Sequence, residues 1–256
     1  MPSSGYYLLD NPNPYGQHYR LTRRRCQHGH TRPHLIVVHT AENKPDFDPP
    51  DIGAEAVARY FATTPREVSA HATVDSDSVI WLLPDGYEAW HAGTSIPGAY
   101  NSCSVGVEIA TKAASWYGSP DRWRYAVLDE LSSVLAVWAR RHRIDVRHIM
   151  KEDANKGMSG LIGHGELDPD RRTDPGAAFP WAYVISETGA KMVDPTANNP
   201  QPADLVRAIQ RSLNTAGATP KLVVDGIWGP LTEAAFVAAI KSGVPAHSHT
   251  GQVTVT

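Results

Sequence analysis

The chain predicts an α/β fold, a mixed β-sheet flanked by helices, followed by a small C-terminal helical domain. Three observations carry this. Leu35-Ile36-Val37-Val38 is a short β-branched run of the kind buried on both faces in a sheet interior. The apolar residues from Trp123 to Trp138 fall on one helical face. Strand-like and helix-like segments alternate up to about residue 186, where the composition shifts to Pro, Asn, Thr and Gly.

The elements follow in order. Residues 1–33 are polar and turn-rich, with the breaker cluster Asn11-Pro12-Asn13-Pro14, and read as an arm laid on a domain. The strand 35–38 comes next and ends on His39, at a strand-to-loop junction where catalytic groups often sit. Residues 53–63 read as a helix stopped near Pro65. Segments 70–74 and 79–83 flank Asp75-Ser76-Asp77-Ser78 and read as a hairpin. Residues 104–110 form another strand, with Glu108 near its end. A long helix follows, with Asp121 as its expected N-cap after Pro120. Its apolar positions Trp123, Val127, Leu128, Leu131, Val134, Leu135 and Trp138 are spaced 4, 1, 3, 3, 1 and 3 apart, which holds one face. The first domain is expected to span 1–186, with a linker at 187–202. A second module at 203–243 carries Leu205, Ile209 and Leu213 every four residues, a turn around Asp225-Gly226, and a second helix from Leu231 to Ile240. Residues 244–256 read as a flexible tail.

Composition narrows the function classes. The 256 residues carry 24 Lys plus Arg against 27 Asp plus Glu, a formal net charge of -3. Nucleic acid is therefore not the expected partner, since phosphate binding needs a basic face. The run Arg23-Arg24-Arg25 reads as a solvated loop. No stretch reaches the roughly 18 apolar residues of a membrane span. A monomer is expected. The N-terminus lacks the basic and apolar regions of a signal peptide, so synthesis in a cytoplasm is expected, with another route out if the protein acts outside. The two cysteines, Cys26 and Cys103, read first as buried thiols, with a single bridge as the alternative.

Twelve histidines make any single one a weak signal. His39 stands out by its place after a buried strand. His164 and Asp174 stand out by lying ten positions apart in a segment dense in Gly, Pro and charge, which can fold back on itself. Two histidines and a carboxylate with a fourth position left to water form the open donor set of a catalytic zinc site. Taken alone, the same residues also read as an ordinary surface loop.

Five segments, taken together, are more specific. They are Val37-Val38-His39-Thr40, Ser69-Ala70-His71, Ala89-Trp90-His91-Ala92-Gly93, Asn101 through Glu108, and Gly163-His164 through Asp174-Pro175-Gly176. In this order, over about residues 30–185, they resemble the type 2 N-acetylmuramoyl-L-alanine amidases, which share a fold with peptidoglycan recognition proteins and many phage endolysins. The resemblance implies zinc on His39, His164 and Asp174, and Glu108 as the base. It implies an electrostatic role for Arg172, which stands where relatives often carry lysine. The tyrosine some relatives use near the second strand is not found in Ser69-Ala70-His71-Ala72, so its role is absent or passes to His71. His91 and Trp90 are expected beside the substrate. Residues 203–243 are similar to the peptidoglycan-binding domain of cell-wall hydrolases, on Ile209 through Asn214, Val224 through Pro230 and Thr232 through Ala235.

The implied activity is zinc-dependent hydrolysis of the muramoyl-alanine amide of bacterial peptidoglycan by a lytic, endolysin-like enzyme. It would be made in a host cytoplasm and would act at the wall. Two alternatives stand beside it. One is a recognition protein that binds peptidoglycan without cutting it. The other is a metalloenzyme that cuts a different amide in the stem peptide.

Overall fold

The computed structural model describes residues 19–20, 32–43, 52–83, 85–93, 100–118 and 122–193, and in the C-terminal part residues 207, 210–211, 213–225, 231–232, 234–235 and 238. Its first strand, β1 (Tyr19–Arg20), pairs antiparallel with β5 (Glu88–Ala89) as a separate ribbon. The main sheet has five strands: β2 (Leu35–Thr40), β3 (Ala72–Val74), β4 (Val79–Trp81), β6 (Ser104–Ile109) and β7 (Gly160–Gly163). Their order is β4-β3-β6-β2-β7. Only β3 and β4, the expected hairpin, run antiparallel. The sheet is therefore mixed, as the sequence predicts.

Helices cover both faces. On one side α3 (Arg122–His142) and α6 (Trp181–Val193) pack on Ile36, Val38, Val105, Val107, Ile109 and Leu161. All seven apolar positions read from the sequence of α3 are buried. On the other side α1 (Gly53–Thr63) seats Val57, Ala58 and Phe61 against Ala70, Ile80 and Leu82. Asp75 joins the hairpin to α1. Its Oδ1 accepts the Ser78 N–H at 2.8 Å, closing the turn, and its Oδ2 accepts the Ala54 N–H at 2.8 Å, satisfying the helix start.

The structure moves one boundary and adds three short helices. The helix α6 runs through Glu187 to Val193, across the first half of the segment read as a linker. Packing explains this: Val184 and Thr188 are buried, and Lys191 Nζ lies 2.7 Å from Asp129 Oδ1 of α3. The segment read as one loop after Gly163 opens with a helical turn, α5 (His164–Leu167). Two further short helices, α2 (Tyr100–Cys103) and α4 (Lys151–Asn155), carry no pattern long enough to announce them.

Cys103 is disulfide-bonded, so the expectation of two buried thiols gives way to a bridge. Cys26, the other cysteine of the chain, lies outside the described residues, as do the arm at 1–18, Arg23 to Arg25, Asp121, residues 194–206 and the tail. No helix among the described residues is long and apolar enough to cross a membrane. In the C-terminal part Asn214 brackets Leu222, accepting its N–H at 2.7 Å and donating to its carbonyl at 2.9 Å.

Candidate functional site

The parallel strands bring the chemistry to one edge. Along β2 the residues alternate faces, so His39 projects on the side of Leu35 and Val37, away from α3. His39 and Glu108 are register partners on β2 and β6, so both point to the same face. On the other flank Val38 pairs with Gly163, and the chain then turns into His164. Three neighbouring strands thus deliver Glu108, His39 and His164 at their C-terminal ends, where ligands bind in open α/β sheets.

Asp174 returns to this point because the segment after His164 closes on itself. The N–H of Gly165 donates to the Asp174 carbonyl at 2.6 Å. Gly163 and Gly165 permit the approach. A Cβ on the first would lie 2.6 Å from Pro175 Cδ, and on the second 2.8 Å from the Thr173 backbone. Glu166 secures the turn by accepting the Gly163 N–H at 2.7 Å and a hydrogen bond from His148 Nε2 at 2.8 Å.

The donor atoms form a triangle. His39 Nδ1 lies 3.1 Å from His164 Nδ1 and 3.1 Å from Asp174 Oδ2, and the third side is 3.3 Å. Four donors set tetrahedrally at about 2.0–2.1 Å from zinc lie about 3.3 Å apart. The residues present fit the metal, with three donors supplied and one position open. Among the described residues this is the His/Cys/Asp/Glu group that could hold a metal ion.

Electrostatics favour the same arrangement. Burial, and then the neighbouring His164, lower the pKa of His39 to about 4, keeping it neutral and able to donate a lone pair. Burial alone would raise Asp174, but hydrogen bonds from His164 and His39 hold it well below the usual carboxylate range. Glu108 moves the other way. Burial, then Asp174 and Glu42, push it up to about 8, against a smaller opposing pull from Arg172. Its Oε2 is buried and has no hydrogen-bond partner among the described residues.

The site floors a cleft of about 610 Å³, lined among others by Tyr60, Arg66, Trp90, His91, Glu108 and Arg172. His91 and Trp90 are therefore beside the donor triangle, with His91 Nδ1 3.0 Å from His39 Nε2. Arg172 is exposed at the rim. His71 does not reach the cleft. It is fully buried; its Nδ1 accepts the Gly106 N–H at 3.0 Å, and its Nε2 donates to the Tyr87 carbonyl at 3.0 Å. Both nitrogens are engaged by backbone, so the catalytic part expected of His71 is corrected to a structural one. Trp81 meets Trp138 edge to face in the core.

Sequence reasoning missed Tyr60. It sits on α1 at the cleft wall and is 43% exposed, while Val57, Ala58 and Phe61 beside it are buried. No tyrosine stands in Ser69-Ala70-His71-Ala72, leading into β3, whereas the helix before it carries this one. The available signal was one large aromatic on the polar side of an otherwise amphipathic helix.

The family described as N-acetylmuramoyl-L-alanine amidase matches residues 29–177. The chain is 28% identical over 177 residues to N-acetylmuramoyl-L-alanine amidase AmiD of Escherichia coli (strain K12), covering 65% of this chain and 57% of that protein, little more than half its length. It is 30% identical over 170 residues to 1,6-anhydro-N-acetylmuramyl-L-alanine amidase AmpD of the same strain, covering 61% of this chain and 83% of that protein. A solved structure, the solution structure of the PlyG catalytic domain, is similar at 23% identity and a TM-score of 0.49, covering 75% of this chain and 97% of that one. With its donor triangle and cleft inside the matched residues, the chain belongs to the N-acetylmuramoyl-L-alanine amidase family.

Proposed function

We propose that the protein hydrolyses the amide between N-acetylmuramic acid and L-alanine in bacterial peptidoglycan, with zinc held by His39 Nδ1, His164 Nδ1 and Asp174 Oδ2. The observation that carries this reading is the donor triangle beside Glu108 on the cleft floor. When bound, zinc supplies a Lewis acid that polarises the scissile carbonyl and makes water more acidic. Glu108 takes the proton of the attacking water and returns it to the departing alanine nitrogen. Burial raises the Glu108 carboxyl toward the neutral range, where one group can both accept and return a proton. Arg172 is always charged and acts as an electrostatic stabiliser of the developing oxyanion. Tyr60, Trp90 and His91 form walls on which the muramyl and peptide groups rest.

The test is product analysis on purified peptidoglycan, with and without chelator. Intact stem peptides with free L-alanine amino groups, released only without chelator, are expected. Cuts within the stem peptide would assign a different amide. Binding without products would leave a recognition protein.

The C-terminal segment is, in the same reading, a wall anchor that places the enzyme at the intact wall as a lytic, endolysin-like hydrolase. Its support is the Asn214–Leu222 bracket and a cleft of about 280 Å³ lined by Leu213, Pro220, Leu231 and Ala235. Truncation after Val193 should weaken sedimentation with insoluble wall and spare cleavage of soluble fragments.

A further inference from the structure

We infer that His91 is the positioning residue of the metal site, fixing the tautomer of His39 through a directed chain of hydrogen bonds anchored on the Tyr100 carbonyl. The inference rests on the metal reading above and goes beyond it, because His91 is not among the donors.

The direction follows from counting protons. A carbonyl only accepts, so the Ser104 hydroxyl gives its one proton to Tyr100 O at 2.6 Å. Ser104 Oγ, 3.2 Å from His91 Nε2, must then accept, which puts the His91 proton on Nε2. Neutral His91 is left with a lone pair on Nδ1, facing His39 Nε2 at 3.0 Å. His39 therefore donates from Nε2 and keeps its own lone pair on Nδ1, the atom that meets His164 and Asp174. Ligating histidines are tuned in this way by the partner of their second nitrogen.

The surroundings hold His91 in place for the task. Asn101 Oδ1 accepts two successive backbone N–H groups, His91 at 3.1 Å and Ala92 at 2.7 Å. Gly106 lies beneath the ring, and a Cβ there would come within 2.5 Å of Nδ1. The rings of His39 and His91 stand at 86° with centroids 5.1 Å apart, so the contact is edge-on, as a donated N–H requires, and not a stack. Tyr100 is itself buried and donates its hydroxyl to Asn155. Segments 89–93 and 101–108 thus form a single device: Ser104, Gly106 and Glu108 project from one face of β6, the first two serving His91 and the third the reaction.

The test is zinc affinity of the full chain, read by competition with a chromophoric chelator. His91→Phe should weaken zinc binding about 10–100-fold, the usual cost of losing such an outer partner. His91→Asn, whose amide oxygen can stand in for Nδ1, should recover most of the loss. Ser104→Ala should fall between them, and it decides the matter if His91→Phe does not fold. Nitrogen NMR of the zinc-loaded wild type should show the His91 proton on Nε2. Wild-type affinity in a folded His91→Phe with only KM raised would make His91 a substrate contact and overturn the inference, as would a proton on His91 Nδ1. A wild-type chain that takes up no zinc would instead reject the metal reading itself, and this inference with it.

Discussion

The two faces of the same three strands do opposite work. On the α3 side, β2, β6 and β7 present Ile36, Val38, Val105, Val107 and Leu161, all fully buried against helices. One residue out of phase, the same strands present His39 and Glu108 to a cleft at their C-terminal ends, and further down pack Leu35, Val37 and Ile162 in a second apolar cluster. The period of two keeps the populations apart: a strand can carry ionisable groups at i, i+2 and i+4 while its alternate residues pack a core. The apolar face supplies the rigidity that holds the donors a few tenths of an ångström from tetrahedral spacing, and the strand ends place them: His39 on β2, His164 just after β7 and Asp174 on the segment that folds back to it.

Substitutions on the two faces should therefore separate stability from chemistry. The largest effect is expected from His164→Ala. Zinc content should drop from about one per chain toward zero and cell-wall solubilisation to background, measured by metal analysis of purified protein. Retained zinc would show that the triangle is not the metal site. Glu108→Ala comes next. It should keep the metal and lose about 10²–10⁴-fold in turnover. Equal turnover would remove Glu108 from the reaction. In the helix layer that covers the opposite face, Leu135→Ala should cost about 2–5 kcal/mol in denaturant unfolding. The folded fraction should keep its kcat, and a change in kcat would show that the faces are coupled.

The smallest effect is a pH slope in metal-free protein. The Glu108 pKa is raised from 4.5 to about 8, so the native state binds more protons than the unfolded chain between those values. Its contribution to stability is present below pH 4.5 and lost as pH rises through 8. His39, lowered from 6.5 to about 4, has the opposite sign: its contribution is present above pH 6.5 and lost as pH falls toward 4. Glu108→Gln removes only the first slope. Urea melts at pH 5, 7 and 9 should show the variant gaining on wild type as pH rises. A constant difference would mean that burial does not set the Glu108 carboxyl.

The sequence was most legible where a local pattern and tertiary burial agree. β2 is a run of β-branched residues that would be a strand in most settings, and α3 repeats its apolar face over about four turns. The ordered motifs pointed to His39, His164, Asp174 and Glu108, and the structure brings these four together. Elements that owe their form to neighbours were not legible. Gly160-Leu161-Ile162-Gly163 is too short to announce a strand and becomes one by pairing with β2. The end of α6 contains Gly189 and abuts Pro- and Asn-rich sequence, yet α3 holds it helical. His71 and His39 look alike in sequence, each beside a strand. What separates them is which atoms meet their nitrogens, backbone for the first and side chains for the second.

The spacing of the donors along the chain has a consequence for folding. His39 lies 125 residues from His164 and 135 from Asp174, so the triangle closes a long loop of the chain. No fragment ending before Asp174 holds the set. On the proposed reading, zinc held there would link β2 to the segment that follows β7. At a free concentration of 100 times Kd, it would add about 2.7 kcal/mol to the finished domain and nothing to a partly folded one. If the chain takes up zinc there, uptake during refolding would report that β2 and the segment after β7 have come together.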